Sequence, residues 1–376
     1  MRIAILTLPL HTNYGGILQA YALQTVLTRM GHQVEVLQAP PTFPRNPLLK
    51  PLIYGKRIAK KILKDWKTPI FIEQKRKKEL PIIRQHTDQF IAENINLRKI
   101  NSLHEISPND YDAIIVGSDQ IWRKPYFRWM WNSPMKDAYL EFTRGWDIKR
   151  IAYATSFGVD DLSEYIPDEI RQCASALQLF DSVSVREDSG VRLCREHFAV
   201  EARHVLDPTM LLSKEDYETL VNQSNVAESP GDMLCYILDP TEFKSKVISE
   251  ISSEKGLTPF NVFAETDNTR LPLQQRVQPP VESWLRGFMD AKFIVTDSFH
   301  ACVFSIIFGK PFIAIGNAGR GMSRFTSLLS QLSLENRLLP TESDLVNLPK
   351  IIHALPAVSI HDNIDQSLSL LTEALS

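Results

Sequence analysis

Cysteine is sparse in this chain: four in 376 residues, Cys173, Cys194, Cys235 and Cys302, far apart and without paired metal-type spacing. All four fall in helix-like or strand-like runs, so the expectation is buried free thiols in a reducing compartment, not a disulfide frame or a zinc site. An excess of either charge is also lacking. With 42 basic and 44 acidic residues the formal net charge is −2; this carries no global signature of nucleic-acid or membrane binding, and no nucleic-acid partner is expected. No apolar run approaches the length that spans a bilayer. The opening Met1–Leu8 stretch is cut by Pro9, His11 and Asn13 before it reaches the length of a signal-peptide core; a first strand is expected there, in a cytoplasmic protein, not an export signal. Gly15-Gly16 is not the spaced glycine fingerprint of a dinucleotide site, and no acid follows the second strand, so NAD binding is disfavoured.

What the chain does contain is an alternation of short apolar strands with amphipathic helices, long enough for two domains. Residues 3–8 read as a buried strand, 11–16 as a polar loop, and about 17–30 as a helix with Leu18, Tyr21, Ala22, Val26 and Met30 on one face and Gly31 as its stop. Further strands are predicted at 34–37, 111–116, 150–154 and 182–185, with a helix over 170–180. The segment 205–209 reads as a crossing into a second set of elements: strands at 233–238 and 258–263, helices at 242–255 and 284–290, and a strand–turn–helix–strand unit over 293–315 ended by Gly309 and Pro311. The expected fold class is α/β, two Rossmann-like domains facing a cleft. The first comprises 1–207, the second 208–357, and a last helix within 358–376 packs back on the first.

Residues 40–80 change character. Pro40, Pro41, Pro44, Pro47 and Pro51 lead into a basic run from Lys56 to Lys78, with Ile58, Ile62, Leu63 and Trp66 at helical spacing. Two readings stand side by side: peripheral contact with a membrane surface or an anionic lipid-linked acceptor through 50–80, and a solvated helix face in an insertion.

Open parallel sheets bind ligands beyond the carboxyl ends of their strands, so the polar residues at those ends are the candidates. They are Asn13 and Tyr14 after the first strand; Asp119, Gln120 and Trp122 after 111–116; Ser156 after 150–154; Arg186 after 182–185; and Ser298 and His300 after 293–296. At the last of these, Asp297 or Ser298 can cap the helix, whose free N–H groups suit an anion. A basic loop, 316–324, brings Arg320 and Arg324 to the same cleft. Asp110 and Asp112 have the D-x-D spacing of many metal-dependent sugar enzymes but lie at the entrance of their strand, and read as a turn. Trp122, Trp129, Trp131 and Trp146 read either as sugar-stacking rings or as packing. Arg186 reads either as an anion ligand or as a surface pair with Glu187 or Asp188.

In order along the chain, NYGGILQAYAL, GSDQIW, YATSFG, SVRE, VLDPTMLL, TDSFHACVFSIIFGKPF and SRFTSLLSQLSLENRLL make up a set that resembles the polysaccharide pyruvyl transferase family over nearly the whole length. The resemblance implies a GT-B-like arrangement, phosphoenolpyruvate as donor and co-substrate, and a saccharide acceptor, free or lipid-linked. The product would be a pyruvate ketal on a bacterial surface polysaccharide or its precursor, made in the cytoplasm or at the inner face of the membrane. It carries the family's donor arginine onto Arg186 and its helix-start histidine onto His300. Studied members have a basic residue two before that histidine, where this chain has Ser298; Lys310, Arg320 and Arg324 are the candidates to supply the charge. On this reading His300 is the acid and Asp119 the base. Arg186, Ser298, Lys310, Arg320 and Arg324 hold the donor, and Asn13, Tyr14, Gln120, Trp122 and Ser156 the acceptor. The chemistry demands no nicotinamide, flavin or obligatory metal, and no cofactor is expected. Two competing readings are a GT-B glycosyltransferase using a nucleotide sugar and a non-catalytic glycan-binding protein of the same fold.

Overall fold

A computed structural model describes residues 1–40, 54–55, 57–59, 72–316, 322–339 and 360–376. Its frame is two all-parallel sheets. The first has seven strands in the order β3-β2-β1-β4-β5-β6-β7: β1 (Arg2–Leu6), β2 (Gln33–Gln38), β3 (Leu97–Lys99), β4 (Ala113–Val116), β5 (Lys149–Thr155), β6 (Ser182–Val185) and β7 (Arg203–His204). The second has five, in the order β12-β11-β10-β8-β9: β8 (Met233–Tyr236), β9 (Pro259–Phe260), β10 (Phe293–Thr296), β11 (Phe312–Ile315) and β12 (Leu338–Leu339). Registers such as Ile3 opposite Ala113 and Val295 opposite Cys235 and Ile313 bring the central strands together. Those strands are covered on both faces, which is why β4 and β11 are unbroken apolar runs rather than alternating ones, and β10 is apolar up to its last residue, the buried Thr296.

The helices among the described residues are α1 (Tyr14–Arg29), α2 (Ile72–Ile83), α3 (Gln85–Asn94), α4 (Lys124–Trp131), α5 (Pro167–Leu177), α6 (Asp188–Phe198), α7 (Lys214–Asn222), α8 (Glu242–Lys255), α9 (Val281–Asp290), α10 (Phe299–Ile307), α11 (Ser323–Gln331) and α12 (His361–Leu375). None is long and apolar enough to cross a membrane. One apolar cluster joins the domains, running from β1 and α1 to Trp284 of α9 and Phe304 of α10. The α12 helix lies against β5 and the turn at Pro208–Leu211; Ser367 Oγ accepts the Leu206 amide, and Lys149 Nζ donates to the Ala374 carbonyl.

Several boundaries differ from expectation for local reasons. Helix α1 begins at Tyr14, not at 17, because Asn13 takes extended dihedrals and its carbonyl already accepts the Ile17 amide, placing Gly15 and Gly16 in the first turn. Helix α5 starts at Pro167, a residue suited to the first helical position. Strand β8 stops at Tyr236 because the next amides, Leu238 and Asp239, donate to the Asp297 carboxylate instead of to a neighbouring strand. The expected strand 258–263 contracts to two residues, and the chain then runs along the cleft. Arg324 sits in the first turn of α11, not in a loop. Of the basic run, Lys56, Lys60, Lys61, Lys64 and Lys67 lie outside the described residues; Arg76, Lys77 and Lys78 are exposed on α2. Asp110 and Asp112 pair with Arg98 and Arg2 at the edge away from the cleft.

Candidate active site

Each sheet has a point where its connections change direction: β1/β4 in the first, β8/β10 in the second. The loops leaving those strands diverge and leave a crevice, the usual ligand position in open α/β sheets. Here the two crevices face each other across a cleft of about 320 Å³. The first-domain wall is His11, Thr12, Asn13, Gly15, Asp119 and Gln120; the second contributes Tyr236, Phe263, Trp284, Ser298, His300 and Arg324, among others. A larger cavity of about 510 Å³ lies between α3, the end of α7 and the start of α9, but its acidic lining is Glu93 and Glu282 and it holds no lysine or arginine, so it suits an anion poorly.

His300 is fixed from both domains. It stands in the first turn of α10 and is 7% exposed. Its Nε2 faces Asp207 Oδ2 at 3.6 Å, an ion-pair contact longer than a hydrogen bond, and Nε2 is buried. The face of the ring at Nδ1 lies against α1 so closely that a Cβ on Gly15 would fall 2.7 Å from Cε1 and nearer still to Nδ1. Only glycine fits at position 15 with the ring where it is.

Asp207, expected only as part of the domain crossing, is the hub of this arrangement. Its Oδ2 accepts from Arg186 Nη1 at 2.8 Å and Ser118 Oγ at 2.9 Å, while Oδ1 accepts from the Thr209 amide and hydroxyl. Burial alone would raise its pKa, but His300 and Arg186 beside it hold the carboxyl well below the usual range. The signal for it was present in the sequence: an aspartate inside the apolar stretch Val205–Leu212, where a carboxylate must be paired if it is to be buried.

Arg186 is 3% exposed and does not line the cleft. The surface-pair reading is corrected: its partners, Asp207 and Glu187, are buried with it. Burial works against its charge, yet Glu187 and Asp207 raise its pKa. The guanidinium lies 4.4 Å from the ring centroid of Phe299, which in turn faces the cleft. Arg324 Cζ lies 5.8 Å from the same ring. Burial and the neighbouring Arg186 lower the Arg324 pKa to about 10. Of the two guanidiniums, Arg324 is the one at the cleft wall.

Asp119 lines the cleft at φ 75, a left-handed conformation that aspartate tolerates better than most residues. Its Oδ1 accepts the Gln120 amide, and its backbone carbonyl accepts the Ile121 and Ser156 amides, which hold the turn. Asn13 and Ser298 flank the cleft at the starts of α1 and α10. Neither caps its helix through its side chain, and neither helix has an acidic residue in its first turn. Asp297 instead takes the Leu238 and Asp239 amides and Lys244 Nζ at 2.7 Å.

Besides Arg186, four expected site residues are placed elsewhere. Trp122 is buried, stacked on Tyr139 at 4.9 Å, with its indole N–H on the Ala138 carbonyl; it is core, because the chain turns inward after Asp119. Tyr14 is buried against Trp284, and its hydroxyl donates to the Pro279 carbonyl at 2.8 Å, closing the domain interface. Ser156 is buried with its hydroxyl on Glu187. Lys310 follows the far end of α10, with Nζ on the Met289 carbonyl, a helix length from the turn at Ser298. Arg320 lies outside the described residues. His11, not singled out as a site residue, also lines the cleft; burial, with Arg84 adding, lowers its pKa to about 4.

A family model described as polysaccharide pyruvyl transferase matches residues 13–319. The chain belongs to that family. The matched region takes in both cleft walls except His11, Thr12 and Arg324, so this pyruvyl transferase family member has His300, Asp207, Arg186 and Asp119 all within it. Among curated proteins, none matches the sequence. In solved structures the fold is similar to UDP-GlcNAc 2-epimerase from Neisseria meningitidis bound to UDP-GlcNAc, at 10% identity and TM-score 0.52, covering 100% of this chain and 99% of that one. It is also similar to the UDP-GlcNAc 2-epimerases of Methanocaldococcus jannaschii (12%, TM-score 0.50, 99% and 100% covered) and Rickettsia bellii (9%, TM-score 0.50, 100% and 96%). At these identities the likeness is one of fold, the GT-B arrangement of two Rossmann-like domains.

Proposed function

We propose that this family member transfers pyruvate from phosphoenolpyruvate to two hydroxyls of a saccharide as a ketal, in the biosynthesis of a bacterial surface polysaccharide. The observation that carries the reading is the meeting, in one cleft, of a histidine backed by a buried carboxylate with a desolvated guanidinium, at two helix starts that no side chain caps. A phosphate-bearing anion is favoured there: it takes unsatisfied N–H donors and relieves the repulsion between Arg324 and Arg186. His300 gives a proton to the methylene carbon of the donor, making C2 electrophilic, and Asp207 stabilises the charged imidazole and fixes its orientation. One sugar hydroxyl adds at C2, with Asp119 accepting its proton; phosphate leaves, and the second hydroxyl closes the ketal. Of the two hydroxyl protons, one makes good the proton His300 gave to carbon and the other leaves with phosphate. The acceptor is a saccharide diol, lipid-linked or free, and the reaction belongs at the cytoplasmic side of the membrane, where phosphoenolpyruvate is made.

The test has two arms. Phosphoenolpyruvate is expected to raise the melting midpoint more than UDP-, GDP- or CMP-sugars do, since a ligand of the native state alone must stabilise it. With galactosides, mannosides and glucuronides as acceptors, phosphate release should accompany the mass of an added pyruvyl ketal, and His300→Ala should abolish both while keeping the fold. Stabilisation by a nucleotide sugar alone, or full turnover by His300→Ala, overturns the reading.

A further inference from the structure

Among the described residues, every hydrogen-bonding group of Gln120 but one has a partner. Its amide donates to Oδ1 of Asp119 at 2.8 Å, its carbonyl accepts the Arg123 amide at 3.0 Å, and its Oε1 accepts from Arg123 Nη1 at 3.1 Å. A guanidinium has donors only, so the side-chain oxygen is the atom that faces Arg123, and Nε2 is the one left over in a side chain that lines the cleft. Two further residues hold the amide in that setting. Arg123 is itself fixed, with Nε on Glu164 Oε1 at 3.3 Å and its guanidinium 4.9 Å from the Tyr126 ring centroid. The amide also packs on Gly158, which has φ 72; a Cβ there would fall 2.8 Å from Cδ of Gln120 and nearer still to Oε1.

We propose that Gln120 determines specificity on the acceptor wall, its Nε2 donating to an uncharged oxygen of the saccharide, and that Arg123 and Gly158 are positioning residues that fix which way the amide points. This rests on the saccharide acceptor of the proposed function. The charges on this wall favour a neutral partner. Each nearby cation has an acid of its own: Arg84, which bonds the Leu10 carbonyl, pairs with Asp88, and Arg123 with Glu164. Asp119 has no ion-pair partner among the described residues, so a carboxylate or phosphate held at Gln120 would meet a like charge beside it. A sugar hydroxyl both donates and accepts, and the amide and the Asp119 carboxylate offer it one partner of each kind.

The test is titration of methyl galactoside, methyl mannoside and methyl glucoside into the full chain, followed by NMR, with stabilisation by phosphoenolpyruvate measured on the same variants. The wild type should bind at least one of the three. Gln120→Ala should weaken that binding about three- to tenfold, the worth of one neutral hydrogen bond. Gln120→Glu should weaken it at least as much, because it keeps the shape and the bond to Arg123 but cannot donate. A Gln120 that served only to hold Arg123 would be improved by a carboxylate, so this variant separates recognition from structure. Arg123→Met and Gly158→Ala should each give part of the loss, raising the saccharide KM and not that of phosphoenolpyruvate, with Arg123→Lys restoring some of it. Should Gly158→Ala not fold, Arg123→Met carries the positioning arm alone. Wild-type affinity in Gln120→Glu, or no binding of any of the three by the wild type, overturns the proposal. So does loss of phosphoenolpyruvate stabilisation in Gln120→Ala with saccharide binding intact, which would put the amide on the donor. A chain whose saccharide binding follows Gln120 but which phosphoenolpyruvate does not stabilise would refute the donor reading and leave this inference standing.

Discussion

Gly15→Ala puts the proposed acid under a measurable load. The added methyl would lie 2.7 Å from Cε1 of His300 and closer to Nδ1, inside the 3.0 Å that real Cβ atoms essentially never cross. The imidazole must therefore withdraw by roughly 1 Å, and a displacement of that size in a positioned catalytic group is enough to cost about 100-fold in rate. Stability should change far less. Overpacking of about 1–3 kcal/mol is partly offset because Ala is better than Gly in a helix by up to about 1 kcal/mol, and position 15 is in the first turn of α1. The assay pairs phosphoenolpyruvate-dependent phosphate release with urea denaturation of wild type, Gly15→Ala, His300→Gly and the double variant. Removing the ring should relieve the clash, so the double variant should be more stable than the sum of the singles predicts, by a coupling of about 1–3 kcal/mol. Wild-type turnover in Gly15→Ala, or strict additivity in the cycle, would refute the close approach of these two residues.

Asp207→Asn should cost about 3–5 kcal/mol, because it leaves the Arg186 guanidinium buried with its best partner gone. The sign with pH follows from the depressed carboxyl: its contribution is complete above the unfolded value of about 4 and is lost as pH falls through the lower folded value, so the penalty should be the same at about pH 5 and pH 7 and shrink only in stronger acid. Trp122→Ala should destabilise the fold by about 3–5 kcal/mol, whereas Trp122→Phe should keep acceptor KM at the wild-type value, since the indole is core and not a sugar platform. Arg276, 2% exposed, bonds Glu79 of α2 at 2.7 Å and the Thr266 carbonyl; Arg276→Ala should speed hydrogen exchange in 261–280, the segment along the cleft, before it changes exchange in β10.

The strands were legible because in a doubly covered parallel sheet burial writes itself as an unbroken apolar run, as in Ala113–Val116 and Phe312–Ile315. His300 and Asp119 were legible because both follow such runs directly. What the sequence could not carry was the third dimension of the turns. Trp122 stands three residues from Asp119 in the same polar-looking motif, yet the left-handed turn at Asp119 sends one side chain to the cleft and the other into the core. Asp207 was half legible: the apolar stretch around it says that a buried carboxylate there must be paired, but its partners Arg186 and His300 are 21 and 93 residues away along the chain, and no local pattern names them. Gly15 is similar, since its need for a missing side chain comes from a ring on the other domain.

These placements bear on why the two domains must stay docked. His300 belongs to the second domain, but the face of its ring rests on Gly15 of the first and its Nε2 faces Asp207, in the segment that joins them. The interface is fixed at the same level by Tyr14 on Trp284 and by Gln278, whose side chain donates to the Thr12 carbonyl and accepts the Ala264 amide. On the proposed mechanism the acid comes from one wall and the base, Asp119, from the other. Separating the walls would remove the proton acceptor from the hydroxyl and the Asp207 counter-charge from His300 together. The donor would then be bound by Arg324 and the α10 start alone, without the groups that let it react.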